Sequence, residues 1–217
     1  MNKIEIKNDT YHMNTVGDKI IVNNNYEGIM IFDLELNLLE KMYIEENFCI
    51  YNSMALNSKE ILFCCLENNK YVIINVETNE NKSFEIPSIL EDTILKEVLE
   101  TNGNSVILRA YDNSVWEFSL KSYVFKKVNY KNYFKKNTEI QKYNDSICFC
   151  ELEDTFSYMY EKKIVVIQDG FERSIYPEKS YIFYGMKLIS KNNTNRIITL
   201  SVSIEDEEKS SISIIDL

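Results

Sequence analysis

Apolar residues fall along this chain in short bursts rather than at helical spacing. KIIVNNNYEGIMIFDLELNLLEKMYI (19–44) opens with a β-branched run, breaks at a polar turn, resumes as a second apolar run and turns again. The same order of features recurs in EILFCCLENNKYVIINVETNENKSFEI (60–86), SVILRAYDNSVWEFSLKSYVFKKVNY (105–130), SICFCELEDTFSYMYEKKIVVIQDG (146–170) and RIITLSVSIEDEEKSSISIIDL (196–217). Short runs rich in Val, Ile, Tyr and Phe, bounded by Asn, Asp and Ser, are strand signals. The opening residues Ile20, Ile61, Val106, Ile147 and Ile197 lie 41, 45, 41 and 50 positions apart. A strand-rich repeat of that period points to propeller blades.

The pattern therefore predicts an all-β, five-bladed β-propeller with four antiparallel strands per blade. Inner strands are expected at about 11–16, 49–56, 94–101, 138–143 and 181–190, with the opening runs as second strands. The last unit stops after its third strand. The alternating KIEIKN (3–8) has no unit of its own, so this N-terminal strand is expected to complete the fifth blade and cover its edge. The 217 residues then form one domain, 1–217. A β-sandwich is the alternative, because it also strings short strands at regular spacing. Residues 89–101 alone show partial helical periodicity, which predicts a helical turn before or in place of that inner strand. Gly (5) and Pro (2) are so scarce that Asn and Asp are expected to make most turns.

Charge narrows the function classes. Lys and Arg number 24 against 34 Asp and Glu, a formal net charge of −10. Nucleic-acid binding draws on clustered Lys and Arg, so this balance argues for a basic protein partner and no direct nucleic acid. His12 is the single histidine, which excludes a multi-His zinc site. Cys148 and Cys150 fall on one face of a predicted strand and read as core residues, and Cys64 and Cys65 fall on opposite faces. G-x-S-x-G, P-loop and G-x-G-x-x-G patterns are absent, so no catalytic residue, metal or cofactor is expected. No signal-like or membrane-length apolar run occurs, which predicts a cytoplasmic protein with no membrane contact and reduced thiols.

A propeller puts the turns between second and third strands on the same face as the links from blade to blade. Those segments are expected to be NNNYEG (23–28), LENNKY (66–71), AYDNS (110–114), ELEDTFSYM (151–159) and SIEDEEKS (203–210), with links at 44–48 and 87–93. They are rich in acid and carry Tyr26, Phe48, Tyr71, Tyr111, Phe156 and Tyr158. Aromatic anchors among steering charges suit a partner face. The candidate partner-binding residues are Glu67, Tyr111, Asp112, Glu151, Glu153, Asp154, Glu205, Asp206, Glu207 and Glu208. Against this trend, residues 121–142 hold seven Lys and one acid, Glu139, and read as an exposed outer strand and link.

The third-strand endings IFDLELN (31–37), INVETNE (74–80), WEFSLKS (116–122) and IIDL (214–217) resemble WD40- and YVTN-type propeller repeats, without the Gly-His and Trp-Asp signatures. That resemblance implies an interaction platform. By size, charge and platform fold the chain is similar to immunity proteins of bacterial contact-dependent growth inhibition systems. Such a likeness implies a cytosolic antitoxin-type inhibitor, not an enzyme. It would bind a basic nuclease toxin domain 1:1 and cover its active site or RNA path. The alternatives are a small propeller glycoside hydrolase, working with two carboxyls across the scissile bond, and a generic propeller scaffold subunit.

Overall fold

The computed structural model describes residues 2–90, 92–128, 148–152, 155–168, 170–191, 194–206 and 208–217. Among these residues the chain forms five four-stranded antiparallel sheets. The first holds β2 (Met13–Val16), β3 (Lys19–Asn24), β4 (Gly28–Asp33) and β5 (Leu38–Tyr43). The second holds β6 (Asn52–Ala55), β7 (Glu60–Cys65), β8 (Lys70–Asn75) and β9 (Asn81–Glu85). In the third, a 3-10 turn at Ser88–Leu90 precedes β10 (Leu95–Asn102), β11 (Ser105–Ala110), β12 (Val115–Ser119) and β13 (Phe125–Val128). β14 (Cys148–Leu152), β15 (Thr155–Tyr160), β16 (Lys163–Gln168) and β17 (Phe171–Ile175) make the fourth. The fifth runs β18 (Tyr181–Lys191), β19 (Thr194–Ser203), β20 (Ser210–Asp216), with β1 (Asn2–Ile6) added outside β20. The expected N-terminal closure is thus present, in the register Asn2↔Ile214 to Ile6↔Ser210.

Strands such as GIMIFD and EILFCC are apolar except for one acid at an end, because both faces of their sheets are covered. Period-2 alternation sends successive side chains to different neighbours. In the first sheet Ile21, Ile29 and Ile31 join Phe63, Cys65 and Val72 of the second. Ile20, Val22, Met30 and Phe32 point the other way, onto Ile198, Leu200, Ile212 and Ile214 of the fifth. Leu62, Cys64 and Tyr71 of the second sheet meet Val106, Leu108, Trp116 and Phe118 of the third. Ile164 and Val166 of the fourth meet Ile197 and Phe183 of the fifth. Cys64 and Cys65 lie on opposite faces, as their adjacency requires. Burial pushes their thiols up, to about 11 and about 12, so both are inert core groups.

The sheets therefore pack in the order four, five, one, two, three. First strands contact along the inside: β14 with β18, β18 with β2, β2 with β6, and β6 with β10. The architecture is all-β and propeller-like. Each buried Ile, Leu or Phe contributes roughly 1.5–3 kcal/mol of transfer free energy, so these stacked apolar faces are the main stabilising term.

Asparagine supplies the turns as expected. Asn25, Asn69 and Asn113 adopt φ of 49°, 49° and 65° in the second-to-third turns of the first three sheets. Glycine is required at Gly28 for a different reason. A Cβ there would lie 2.0 Å from the Met42 carbonyl oxygen on the neighbouring strand.

The fourth unit corrects the sequence reading. Its expected inner strand, 138–143, lies outside the described residues, and the first strand of that sheet is β14 instead. Of the expected second-to-third turn, 151–159, the described residues 151–152 end β14 and 155–159 make almost all of β15. Its acids imitate a turn, but Thr155, Ser157 and Met159 are buried at a spacing of two, which is a strand.

Candidate partner-binding face

Backbone hydrogen bonds tie the second-to-third turns to the links between sheets. The Ile44 and Phe48 amides donate to the Glu27 and Tyr26 carbonyls (2.8 and 2.6 Å), and the Ile86 amide donates to the Asn69 carbonyl. Likewise Tyr111 donates to Ile94, and Ile204 to Ser180. These segments thus share one face, called the link face below. First-to-second and third-to-fourth turns lie on the opposite face.

Acids on the link face include Asp9, Glu27, Glu45, Glu46, Glu67, Asp92, Asp112, Glu161, Glu178, Glu205, Asp206 and Glu208. The ion pairs found there among the described residues are Glu45–Lys70, Glu178–Lys3 and Asp206–Lys209. The Ser114 hydroxyl and amide on Asp112 hold its carboxyl below the usual range, and Lys209 does the same for Asp206. Both stay ionised through neutral pH. The described turns of the opposite face carry only Asp18, Glu35, Lys59, Glu77, Glu80 and Lys121.

Aromatic distribution reinforces the difference. The exposed tyrosines among the described residues are Tyr26, Tyr43, Tyr51, Tyr111, Tyr176 and Tyr184. All six sit in link-face turns or links, or at the link-face ends of β5 and β18. Ile89 and Ile204 join them. Tyr26 stacks on Tyr11, centroids 5.2 Å apart, and the Tyr11 hydroxyl accepts from the Ile50 amide. Glu67 lies close enough to raise the Cys49 thiol, second to burial, and contributes to raising the Tyr26 hydroxyl, after burial and Asp9. A ring pair and an acid therefore meet at the junction of the first two sheets. On the third sheet the Lys96 ammonium lies over the Tyr111 ring at 5.4 Å.

Several candidate residues fall where expected: Glu67, Tyr111 and Asp112, and Glu205, Asp206 and Glu208 in the turn before β20. Glu153, Asp154 and Glu207 lie outside the described residues. Glu151 sits in β14, paired with Phe156, and the flanking Leu152↔Thr155 pair closes a first-to-second connection. Glu151 thus belongs to a strand and not to a second-to-third turn. Phe48 and Tyr71, expected among the face aromatics, are fully buried and serve the core. Phe156 and Tyr158 lie in β15 rather than in a turn. Tyr43, Tyr51, Tyr176 and Tyr184 escaped the sequence reading. Their signal was position at strand ends, which only strand boundaries reveal.

His12 is structural. Its Nε2 lies 2.7 Å from Ser53 Oγ, Asn14 Nδ2 donates to that same hydroxyl at 2.8 Å, and the ring packs edge-on to Phe63. Burial and, secondarily, the Lys187 charge lower its pKa to about 3, which suits a neutral bridge between the first two sheets and not a general base at neutral pH. Among the described residues no helix is long and apolar enough to cross a membrane.

No family model and no curated protein matches the chain. Among solved structures it is similar to virginiamycin B lyase from Staphylococcus aureus, with 11% identity over 100% of this chain and 73% of that one, TM-score 0.43. The β-propeller domain of Cps50 (Swd1) from Myceliophteria thermophila matches at 12% identity over 93% of this chain and 69% of that one, TM-score 0.41. A duf4221-family protein from Bacteroides vulgatus matches at 9% identity over 100% and 98%, TM-score 0.43.

Proposed function

We propose that the five sheets are the blades of one ring and that the protein is a cytoplasmic, non-catalytic binding platform for a basic protein. In finer terms it is an immunity-type inhibitor whose link face covers the active site or RNA path of a nuclease toxin domain, 1:1. The carrying observation is that six exposed tyrosines share one face with most of the described turn acids. Tyrosine combines large contact area with few rotors, which makes it an efficient anchor. Carboxylates in place of RNA phosphates would steer a cationic surface and quicken association. Affinity capture from the native cell, followed by titration of the captured protein, tests the reading. A basic nuclease whose activity disappears on mixing is the expected result. Combined Glu27→Lys, Glu67→Lys and Asp112→Lys should weaken the complex at least about tenfold and flatten its salt dependence. Capture of an acidic partner, or affinity unmoved by the three reversals, would overturn it.

A further inference from the structure

The seam between the fourth and fifth sheets opens, at its link-face end, into a cleft of about 40 Å³. By the measure in which one water needs roughly 10–15 Å³, it has room for about three or four heavy atoms. Thr199, Ser201, Ser211 and Ser213 line it, with Tyr176 and Tyr181 beside them. Thr199 is 1% exposed, and its hydroxyl has no hydrogen-bond partner among the described residues, although a buried hydroxyl normally finds one. The cleft also already holds a cation of the chain's own. Lys3 Nζ lies 2.5 Å from Glu178 Oε2, 3.8 Å from Glu5 Oε1 and 5.1 Å from the centre of the Tyr181 ring. Glu5, Glu178, Glu205 and Asp206 stand against Lys3 and Lys209 at this corner, an excess of acid, with Glu205 accepting from Ser180 Oγ at 2.5 Å.

We propose that this cleft receives an arginine side chain of the basic partner, with Lys3 as its internal placeholder. The inference rests on the link-face reading above. A flat guanidinium has five N–H donors and no acceptor, and the cleft offers it hydroxyl acceptors, the Glu178 carboxylate and tyrosine faces. Arginine suits such a planar, stacked site better than lysine does. The partner's arginine takes the place of the Lys3 ammonium at Glu178 and Tyr181, and its remaining N–H groups satisfy Thr199.

The test uses the full chain and N-acetyl-argininamide, with N-acetyl-citrullinamide as its neutral counterpart, followed by backbone amide chemical shifts. Argininamide should shift the amides around Thr199, Ser211 and Tyr181, and citrullinamide should not. Glu178→Gln should weaken binding about tenfold, the loss of one charge-assisted pair. Lys3→Met should strengthen it, because the competing ammonium is gone; an anion site would respond in the opposite sense. Thr199→Val should weaken binding without lowering Tm. No shifts at tens of millimolar, or equal shifts with citrullinamide, would overturn the cleft assignment. If the basic partner still binds and remains sensitive to Glu67→Lys while the cleft is silent, only the cleft assignment falls; if no basic protein binds at all, the link-face reading falls with it.

Discussion

The seam between the second and third sheets and the seam between the fourth and fifth solve one packing problem in opposite ways. The former is filled by rings. Phe118 stacks on Phe125 at 4.4 Å, Phe84 lies 6.0 Å from Phe118, and Tyr71 and Tyr123 close the cluster. The latter is apolar only in part, around Ile164, Val166 and Ile197. Its link-face end is lined by hydroxyls around a cleft. Rings in offset and tilted contact fill a wedge between twisted sheets and add about 0.5–1.5 kcal/mol per pair beyond the area they bury. Small hydroxyls leave space and need partners. One seam is thus closed by packed rings, and the other leaves hydroxyls around an unfilled cleft.

The largest effect expected from this contrast lies in the ring cluster. Phe118→Ala removes a fully buried side chain at its centre and should cost about 3–5 kcal/mol. For a chain of this length that is a fall in Tm of roughly 6–20 °C. Ser211→Ala in the other seam should change Tm by no more than a few degrees. Comparable losses in thermal unfolding scans of the two variants would erase the distinction between the seams.

A second contrast sets one buried polar group against another. His12 bridges to Ser53 inside a filled seam and is held neutral, with a pKa of about 3 against an ordinary 6.5. The unfolded chain therefore binds a proton below pH 6.5 that the folded chain refuses. Stability is full above pH 6.5 and is lost as pH falls toward 3, by about 1.4 kcal/mol for each unit. His12→Gln keeps a donor for Ser53 and removes the titration. Plotted against pH, the difference in unfolding free energy between wild type and His12→Gln should take that slope below pH 6.5. Parallel curves would mean that His12 takes up its proton as readily in the fold as in the unfolded chain.

The repeat was legible in the sequence because the first and second sheets are covered on both faces, so strands such as KYVIIN and GIMIFD are apolar almost without interruption. N-terminal closure was legible from the missing fourth strand of the last unit. The fourth unit was misread because an acid near the end of a strand, such as Glu151, looks like part of a turn, and composition does not say where a strand stops. Link-face acids such as Glu67, Asp112 and Glu205 followed from strand order alone. Burial of Phe48 and Tyr71 did not, since it depends on the neighbouring sheet. The cleft did have a signal. Thr199 with Ser201 on β19, and Ser211 with Ser213 on β20, recur at a spacing of two. In a sheet covered on both sides, such a polar row marks a face that its neighbour does not fill.

The smallest expected effect is the sharpest test of that row. Thr199→Val swaps a buried hydroxyl without a partner for a methyl of nearly the same shape. Ser53→Ala removes a hydroxyl that lies within hydrogen-bond reach of both His12 and Asn14. Removing a partnered group strands the atoms left behind and costs about 1–3 kcal/mol, whereas removing an unpartnered one relieves a desolvation penalty. Ser53→Ala should therefore lower stability by about that amount in urea titrations. Thr199→Val should leave it unchanged or raise it by up to about 1 kcal/mol. Thr199→Val also buries an extra methyl, worth about 0.8 kcal/mol, so a gap between the two variants larger than that isolates the hydrogen bonding. If Thr199→Val proved as costly as Ser53→Ala, the Thr199 hydroxyl would already be satisfied in the free protein, and the seam between the fourth and fifth sheets would have nothing left to offer a guanidinium.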